Sequence, residues 1–330
     1  MRIRTLAVAG AVSLGALGVG MAIKSFLPQR FPIDYEQQRP ERLLDSSRFP
    51  EVEVTFLRCA TAVWPECVMV RGAFSLAPCH IAYSAVLIRH PQATFLYDTG
   101  LCGDTYLFLR EQSYFFRSTL ARFTFEQSLA GHLKRQGLRP ADLDFALLSH
   151  LHWDHVSGVP DIPTVPLRVA RIEHEAVHLE RQDQYRQMIR SFLGENKITL
   201  FDFDGPAYAG FSSSLDLLGD GSIILVPLPG HTPGHTGMFI NRSNGSRLFL
   251  IGDATHVAQN YLRPATAHPL LWSMVTWNDA IARQTLVQLH RFSRLHPEVT
   301  LIPMHDAHLQ EACMRIEEQR LSAIKSVRHE

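Results

Sequence analysis

Phe145-Ala146-Leu147-Leu148-Ser149-His150-Leu151-His152-Trp153-Asp154-His155 passes from an apolar run into four metal-capable side chains within six residues. A short apolar run bounded by polar residues reads as a buried strand, and imidazoles with a carboxylate at its exit read as a metal site. Side chains alternate in extended backbone, so His150 and His152 point the same way. Asp154 and His155 then turn toward a second point beside the first. One loop thereby offers two imidazoles to one cation, and a carboxylate with an imidazole to a neighbour. The plain alternative is a solvated histidine-rich turn. The pattern HxHxDH after an apolar strand, followed by Gly158, is too specific for that alternative.

Outside this stretch the composition is that of an ordinary enzyme. The chain has 330 residues, 46% hydrophobic and 19% charged, enough for a large core in one or two domains. Lys and Arg balance Asp and Glu at net charge zero. No basic surface therefore advertises nucleic acid, and no acidic one a cationic partner. The departure is histidine, at 17 residues.

The N-terminus differs. Arg2 and Arg4 precede an uncharged run, Thr5 to Ile23, closed by Lys24. Its length suits a spanning helix, exceeds the usual signal h-region of about 7–15 residues, and has no A-x-A site near Lys24. An uncleaved anchor is favoured over a cleaved signal. Basic residues at the extreme N-terminus stay cytoplasmic. The expected location is thus export, either periplasmic or anchored to the inner membrane with the catalytic part outside. Residues 1–27 are read as anchor or signal, 28–50 as a proline-spaced linker, and 51–330 as the functional domain. In an exported chain Cys59 with Cys67, or Cys79 with Cys102, could form disulfides; the pairing stays open, and buried thiols are equally consistent.

Short β-rich runs at Val52–Leu57, Val68–Phe74, Ile81–Ile88 and Thr94–Tyr97 predict an antiparallel meander ending in the turn Asp98-Thr99-Gly100. Thr124 to Gln127 has capping-box form and predicts a helix through Leu129 and Leu133 to Gly137. Leu167–Ala170 reads as a strand and 172–193 as one polar helix. His174 and His178 stand at i, i+4 on that helix, better read as a solvated face than as chelators. A second β block (Ile223–Val226, Gly237–Asn241, Arg247–Ile251, with an Asn244-Gly245 hairpin turn) is followed by a helix over 278–295, a strand at Val299–Ile302 and a closing helix. Two β blocks, each followed by helices, predict two packed sheets with helices outside.

Three more polar clusters sit at strand ends: Pro229-Gly230-His231-Thr232-Pro233-Gly234-His235, Gly252-Asp253-Ala254-Thr255-His256 and Pro303-Met304-His305-Asp306. Small residues and prolines let the backbone turn sharply at each. Together with HxHxDH and the Asp-Thr-Gly turn, in this order, they resemble the metallo-β-lactamase superfamily over roughly residues 52–310. That resemblance implies an α+β fold, an αββα sandwich with a two-metal site along one edge of the sheets. His150, His152 and His231 would hold the first metal; Asp154, His155 and His305 the second; Asp253 would bridge. His235 competes with His231, and the family's Pro-Gly-His pattern favours the first histidine. Asp98 and Asp306 would support ligating rings. Two divalent cations about 3.5–4 Å apart lower the pKa of a shared water and polarise the bond it attacks. Zinc is the default metal, with iron or manganese compatible with the same donors.

Within the superfamily, an acid at Asp253 disfavours a true β-lactamase, and the 25 residues after His305 leave no glutathione-binding extension. The balanced charge disfavours nucleic acid. The pattern looks most like N-acyl homoserine lactonases and related lactone or ester hydrolases, acting on a small-molecule ester or lactone. Those enzymes place a Tyr three residues after the bridging Asp; here His256 stands there, either as an oxyanion donor or as an ordinary loop residue. The implied chemistry is attack by a metal-bridging hydroxide on a carbonyl carbon, with Asp154 shuttling a proton. Tyr114-Phe115-Phe116 and Leu271 through Trp277 are candidate walls for an acyl or aromatic group. The alternatives are a phosphotriester, sulfate-ester or thioester hydrolase of the same fold, and, less favoured, a β-lactamase or a non-catalytic metal-binding protein.

Overall fold

The computed structural model describes residues 24–33, 43, 48–179 and 183–327. The run Thr5–Ile23 expected to form an anchor lies outside them. Among the described residues no helix is long and apolar enough to cross a membrane.

Among the described residues twelve strands form two sheets: β1 Glu53–Pro65, β2 Pro78–His90, β3 Ala93–Tyr97, β4 Thr124–Phe125, β5 Phe145–Leu147, β6 Leu167–Ala170, β7 Ile198–Phe201, β8 Leu215–Asp216, β9 Ile223–Pro227, β10 Thr236–Asn241, β11 Arg247–Leu250 and β12 Val299–Ile302. The first sheet runs β4-β1-β2-β3-β5-β6-β7 and the second β12-β11-β10-β9-β8. β1 to β3 are an antiparallel meander, whereas β3, β5, β6 and β7 are parallel, as are β11 and β12.

The layering follows from side-chain alternation along strands buried on both faces. Val86 and Ile88 on β2 face the other sheet and pack with Phe95, Tyr97, Ile223, Leu225, Met238 and Leu250 in the central core. Ala85 and Leu87, one residue out of phase, face the outer layer with Leu129, Leu133, Ile189 and Phe192 from helices. On the far side Phe239 and Phe249, stacked at 3.8 Å, meet Leu286, Leu289 and Phe292 of helix Asp279–Leu295. This is the αββα sandwich.

Three local expectations change. Thr124 does not cap a helix. It pairs with Thr61 in β4, because the edge of β1 offers unpaired backbone, and Ser128 caps helix Leu129–Arg135 instead, accepting from Gly131 N at 3.1 Å. Val68–Phe74 is not a strand: helix Glu66–Met69 leads into a turn at Gly72 (φ +90°). The polar helix over 172–193 is two, Arg171–Leu179 and Gln184–Leu193, the second opened by Asp183 accepting from Arg186 N. His174 lies on the first, in none of the metal-capable clusters among the described residues; the side chain of His178 lies outside the described residues. Of the alternatives left open for the cysteines, neither disulfide is present: all five are free thiols. Burial pushes Cys59 up to about 12, as expected for a thiol inside a core.

Candidate metal centre

The carboxyl ends of β3, β5, β9, β11 and β12 deliver Asp98, Ser149–His155, His231, Asp253 and His305 to one edge of the sandwich. His150, His152 and His231 form one group of metal-capable atoms; Asp154, His155, Asp253 and His305 form another. Within each, the atoms lie inside 4.8 Å of one another. His231 and Asp253 also group with His256. All seven expected ligands and His256 are thus brought together.

Three rings are aimed by their outer nitrogens. Ser149 N and Oγ donate to Asp98 Oδ1 and Oδ2 at 2.7 and 2.8 Å, so the same hydroxyl accepts from His150 Nδ1 at 2.9 Å. His155 Nδ1 donates to Asp98 Oδ2 and His305 Nδ1 to Ala82 O, both at 2.8 Å. With Nδ1 so engaged, each Nε2 is left facing inward. Asp98 manages this from a left-handed backbone, φ +57°, which a short polar side chain tolerates. Asp306 plays no such part. Its carboxylate accepts from Ala258 N and, as a cap, from Leu309 N, both at 2.9 Å, because the start of the closing helix claims it. His235 is excluded by the same bookkeeping of protons: its Nε2 accepts from Asp253 N at 2.9 Å. The contact requires Gly252, at φ +51°, since a Cβ there would sit 2.5 Å from that nitrogen.

The donor spacing fits divalent cations. A tetrahedral ion with bonds of about 2.0–2.1 Å holds its ligand atoms roughly 3.3–3.4 Å apart. Here His152 Nδ1 to His231 Nε2 is 2.9 Å, His305 Nε2 to Asp154 Oδ2 is 3.3 Å, and His155 Nε2 to Asp154 Oδ2 is 3.8 Å. Asp253 spans both groups, with Oδ1 3.2 Å from His155 Nε2 and Oδ2 2.9 Å from His305 and 3.5 Å from His231. His150 Nε2 is buried without a hydrogen-bond partner, a cost that a cation would relieve.

Protonation divides the site. Burial, then the neighbouring imidazoles, push His150 well below the ordinary histidine range; burial brings His152 down to about 4 and His231 well below its usual value. These three are neutral lone-pair donors at pH 7. Burial also opposes charge on His155 and His305, but Asp253 with the other carboxylates outweighs it, lifting His155 well up and His305 to about 9. Those imidazolium charges hold Asp253 well below the carboxylate range despite its burial.

The sequence reading missed Glu173. It is 2% exposed and accepts from Leu151 N and Gly234 N, both at 2.9 Å. It therefore pins the loop of His150 and His152 to the loop of His231. Gly234 is needed for the approach: a Cβ there would lie 2.5 Å from Glu173 N. Only a carboxylate acting through backbone N–H groups does this, and no ligand spacing advertises it.

A cavity of about 260 Å³ opens on the cluster, lined by Asp154, His231, Asp253, His256 and His305 at its base. Its walls include Trp64, Tyr83, Phe116, Trp153, Leu271 and Met274. Of the expected walls, Phe116, Leu271, Met274 and Val275 take part. Tyr114 and Phe115 point to solvent, and Trp272 is buried with its indole N–H on Asp279 at 2.7 Å. Tyr185 also lines the cavity; its hydroxyl accepts from Trp153 N at 3.2 Å, leaving its O–H as a donor.

The family model described as metallo-beta-lactamase superfamily matches residues 81–299. A protein named probable metallo-hydrolase from Mycobacterium tuberculosis is 28% identical over 279 residues, 79% of this chain and 83% of that one. An N-acyl homoserine lactonase of Bacillus thuringiensis is 30% identical over 142 residues, 43% of this chain and 50% of that one. The crystal structure of a quorum-quenching N-acyl homoserine lactone lactonase superposes with TM-score 0.60 at 19% identity, covering 80% of this chain and 97% of the other. A dizinc quorum-quenching lactonase in complex with a product gives TM-score 0.53 at 17% identity, covering 81% and 90%. At such identities the structures speak for the fold.

Proposed function

The chain belongs to the metallo-β-lactamase superfamily and is a metallo-hydrolase; from that premise we propose that it uses two divalent cations, zinc by default, to hydrolyse a lactone or carboxylic ester. The observation that carries the reading is Asp253, with one oxygen 3.2 Å from His155 Nε2 and the other 3.5 Å from His231 Nε2. A carboxylate between two imidazole groups suits a bridge. In this reading His150, His152 and His231 hold one cation, Asp154, His155 and His305 the other. Bound, such a pair supplies an acidified water and polarises the electrophile.

The chain's own residues do the rest. Asp154 faces the cavity beside His305 and serves as the proton carrier to the leaving oxygen. His256, brought down to about 4 by burial against the pull of Asp253, is neutral at pH 7 and donates one N–H toward developing negative charge on the carbonyl oxygen. Tyr185 adds an O–H from the cavity lining. The apolar walls exclude water and hold the acyl or aromatic part. The hydrolase unit covers 51–330, behind an anchor at 1–27 and a linker at 28–50. It works outside the inner membrane, as Arg2 and Arg4 ahead of the uncharged run imply.

The test is a metal analysis with a screen of lactone, aryl ester, phosphotriester and β-lactam substrates. Turnover of lactones or esters that a chelator abolishes is the expected result. Turnover confined to phosphotriesters or β-lactams would overturn the substrate class.

A further inference from the structure

Residues 24–33, directly after the uncharged run, are seated on the wall that closes the cavity. Ser25 Oγ lies 2.8 Å from His268 Nε2, and the Phe26 ring is 4.4 Å from the His268 ring. Arg71 donates to Lys24 O and Leu27 O, and Gln29 Oε1 accepts from Thr266 N and Oγ1. His268 caps helix Pro269–Val275, whose Leu271, Met274 and Val275 line the cavity.

Exposed apolar residues flank cavity-lining ones along the chain. Phe115 beside Phe116 and Leu270 beside Leu271 are 56% and 64% exposed, and Phe26 and Leu27 are 37% and 44% exposed. Scattered exposed apolar residues need no explanation. Here Phe115 and Leu270 stand next to cavity-lining residues in the chain, and Phe26 and Leu27 at the foot of a nineteen-residue uncharged run, Thr5 to Ile23.

We propose that the cavity mouth docks on the surface of the lipid bilayer that takes up the Thr5–Ile23 run, so that substrate enters from the lipid phase. Tether length favours this occupant over a second copy of the chain. From Ile23 to Ser25 the backbone can extend at most about 7 Å. The headgroup layer on one side of a bilayer is itself only about 5–8 Å thick. A wall bound at Ser25 therefore cannot stand clear of a membrane that holds Ile23, and its exposed apolar rim is placed at the depth where such side chains are buried favourably. Lys24 falls at the headgroup level, where a cation is favoured. Resting on the hydrolase reading, the substrate class becomes a lactone or ester whose acyl part partitions into lipid.

The test uses the full chain in vesicles of phosphatidylcholine and phosphatidylglycerol, with and without brominated acyl chains, and reads tryptophan emission. The expected result is that the chain floats with the vesicles, that brominated lipid quenches its emission, and that the variant carrying Phe115→Asp and Leu270→Asp still floats and unfolds at an unchanged temperature but loses most of the quenching. Equal quenching in both proteins, no quenching, failure to float, or a rim-dependent dimer in detergent that persists in vesicles would overturn the proposal. The readout needs no turnover, so its failure is separable from failure of the hydrolase assignment, which a water-soluble lactone tests.

Discussion

Asp98 accepts from Ser149 N, Ser149 Oγ and His155 Nδ1, and the ligand aim of two rings depends on it. In Asp98→Asn an amide would face the His155 N–H, so the ring must swap its proton to Nε2 and lose its inward lone pair. A loss of about 10–100-fold in zinc affinity follows, read by competition with a chromophoric chelator; unchanged affinity would contradict the role. Glu173→Gln leaves one of two buried N–H groups without an acceptor, costing about 1–3 kcal/mol in urea unfolding and loosening metal binding. Proton linkage has a definite sign here. In the metal-free protein His305 is raised to about 9, so its ion pair with Asp253 contributes stability fully below about pH 6.5, lost as pH rises toward 9. A cation must displace that proton, so zinc affinity should rise with pH across that window. Calorimetry in buffers of different ionisation enthalpy should show proton release at pH 7, and its absence would remove the assignment. The clustered histidines were legible because they sit at strand ends with local spacing. Glu173 was not, because it works through the backbone of Leu151 and Gly234, which carries no residue signature.

At the scale of elements, strands buried on both faces were readable as apolar runs, and their bounds shift by a few residues. Errors arose where two local signals competed. Thr124 and Ser128 are both good caps, and the free edge of β1 decided for Ser128 by pairing with Thr124. Ser128→Ala should therefore destabilise the protein by about 1 kcal/mol in thermal or urea unfolding, with Thr124→Ala costing less. The reverse order would restore the helix start at Thr124. Val68–Phe74 carries β-formers yet turns, because Glu66 N and Cys67 N are tied to Ala77 O and Ser75 O across it. Pairings of that kind are set by the fold rather than by local propensity.

For the whole molecule, the order of β blocks and helices sufficed for the sandwich, since amphipathic layers have few ways to cover one another. Strand order and the short strands β7 and β8 were not readable, being defined by partners distant in the chain. The cavity's walls were only half readable for the same reason: Trp64, Tyr83 and Trp153 come from three separate elements. Because the buried cluster carries orphaned donors and acceptors, cation binding to the folded state alone should stabilise it by about 2.7 kcal/mol at a hundredfold excess over Kd, and a chelator should lower Tm accordingly. The central claim is that one edge of the sandwich holds a pair of cations shared by Asp253. Elemental analysis of the purified chain, equilibrated with zinc and freed of excess, tests it most directly. The account predicts about two ions per chain, falling in Asp253→Ala; one ion or none in the unmodified chain would contradict it.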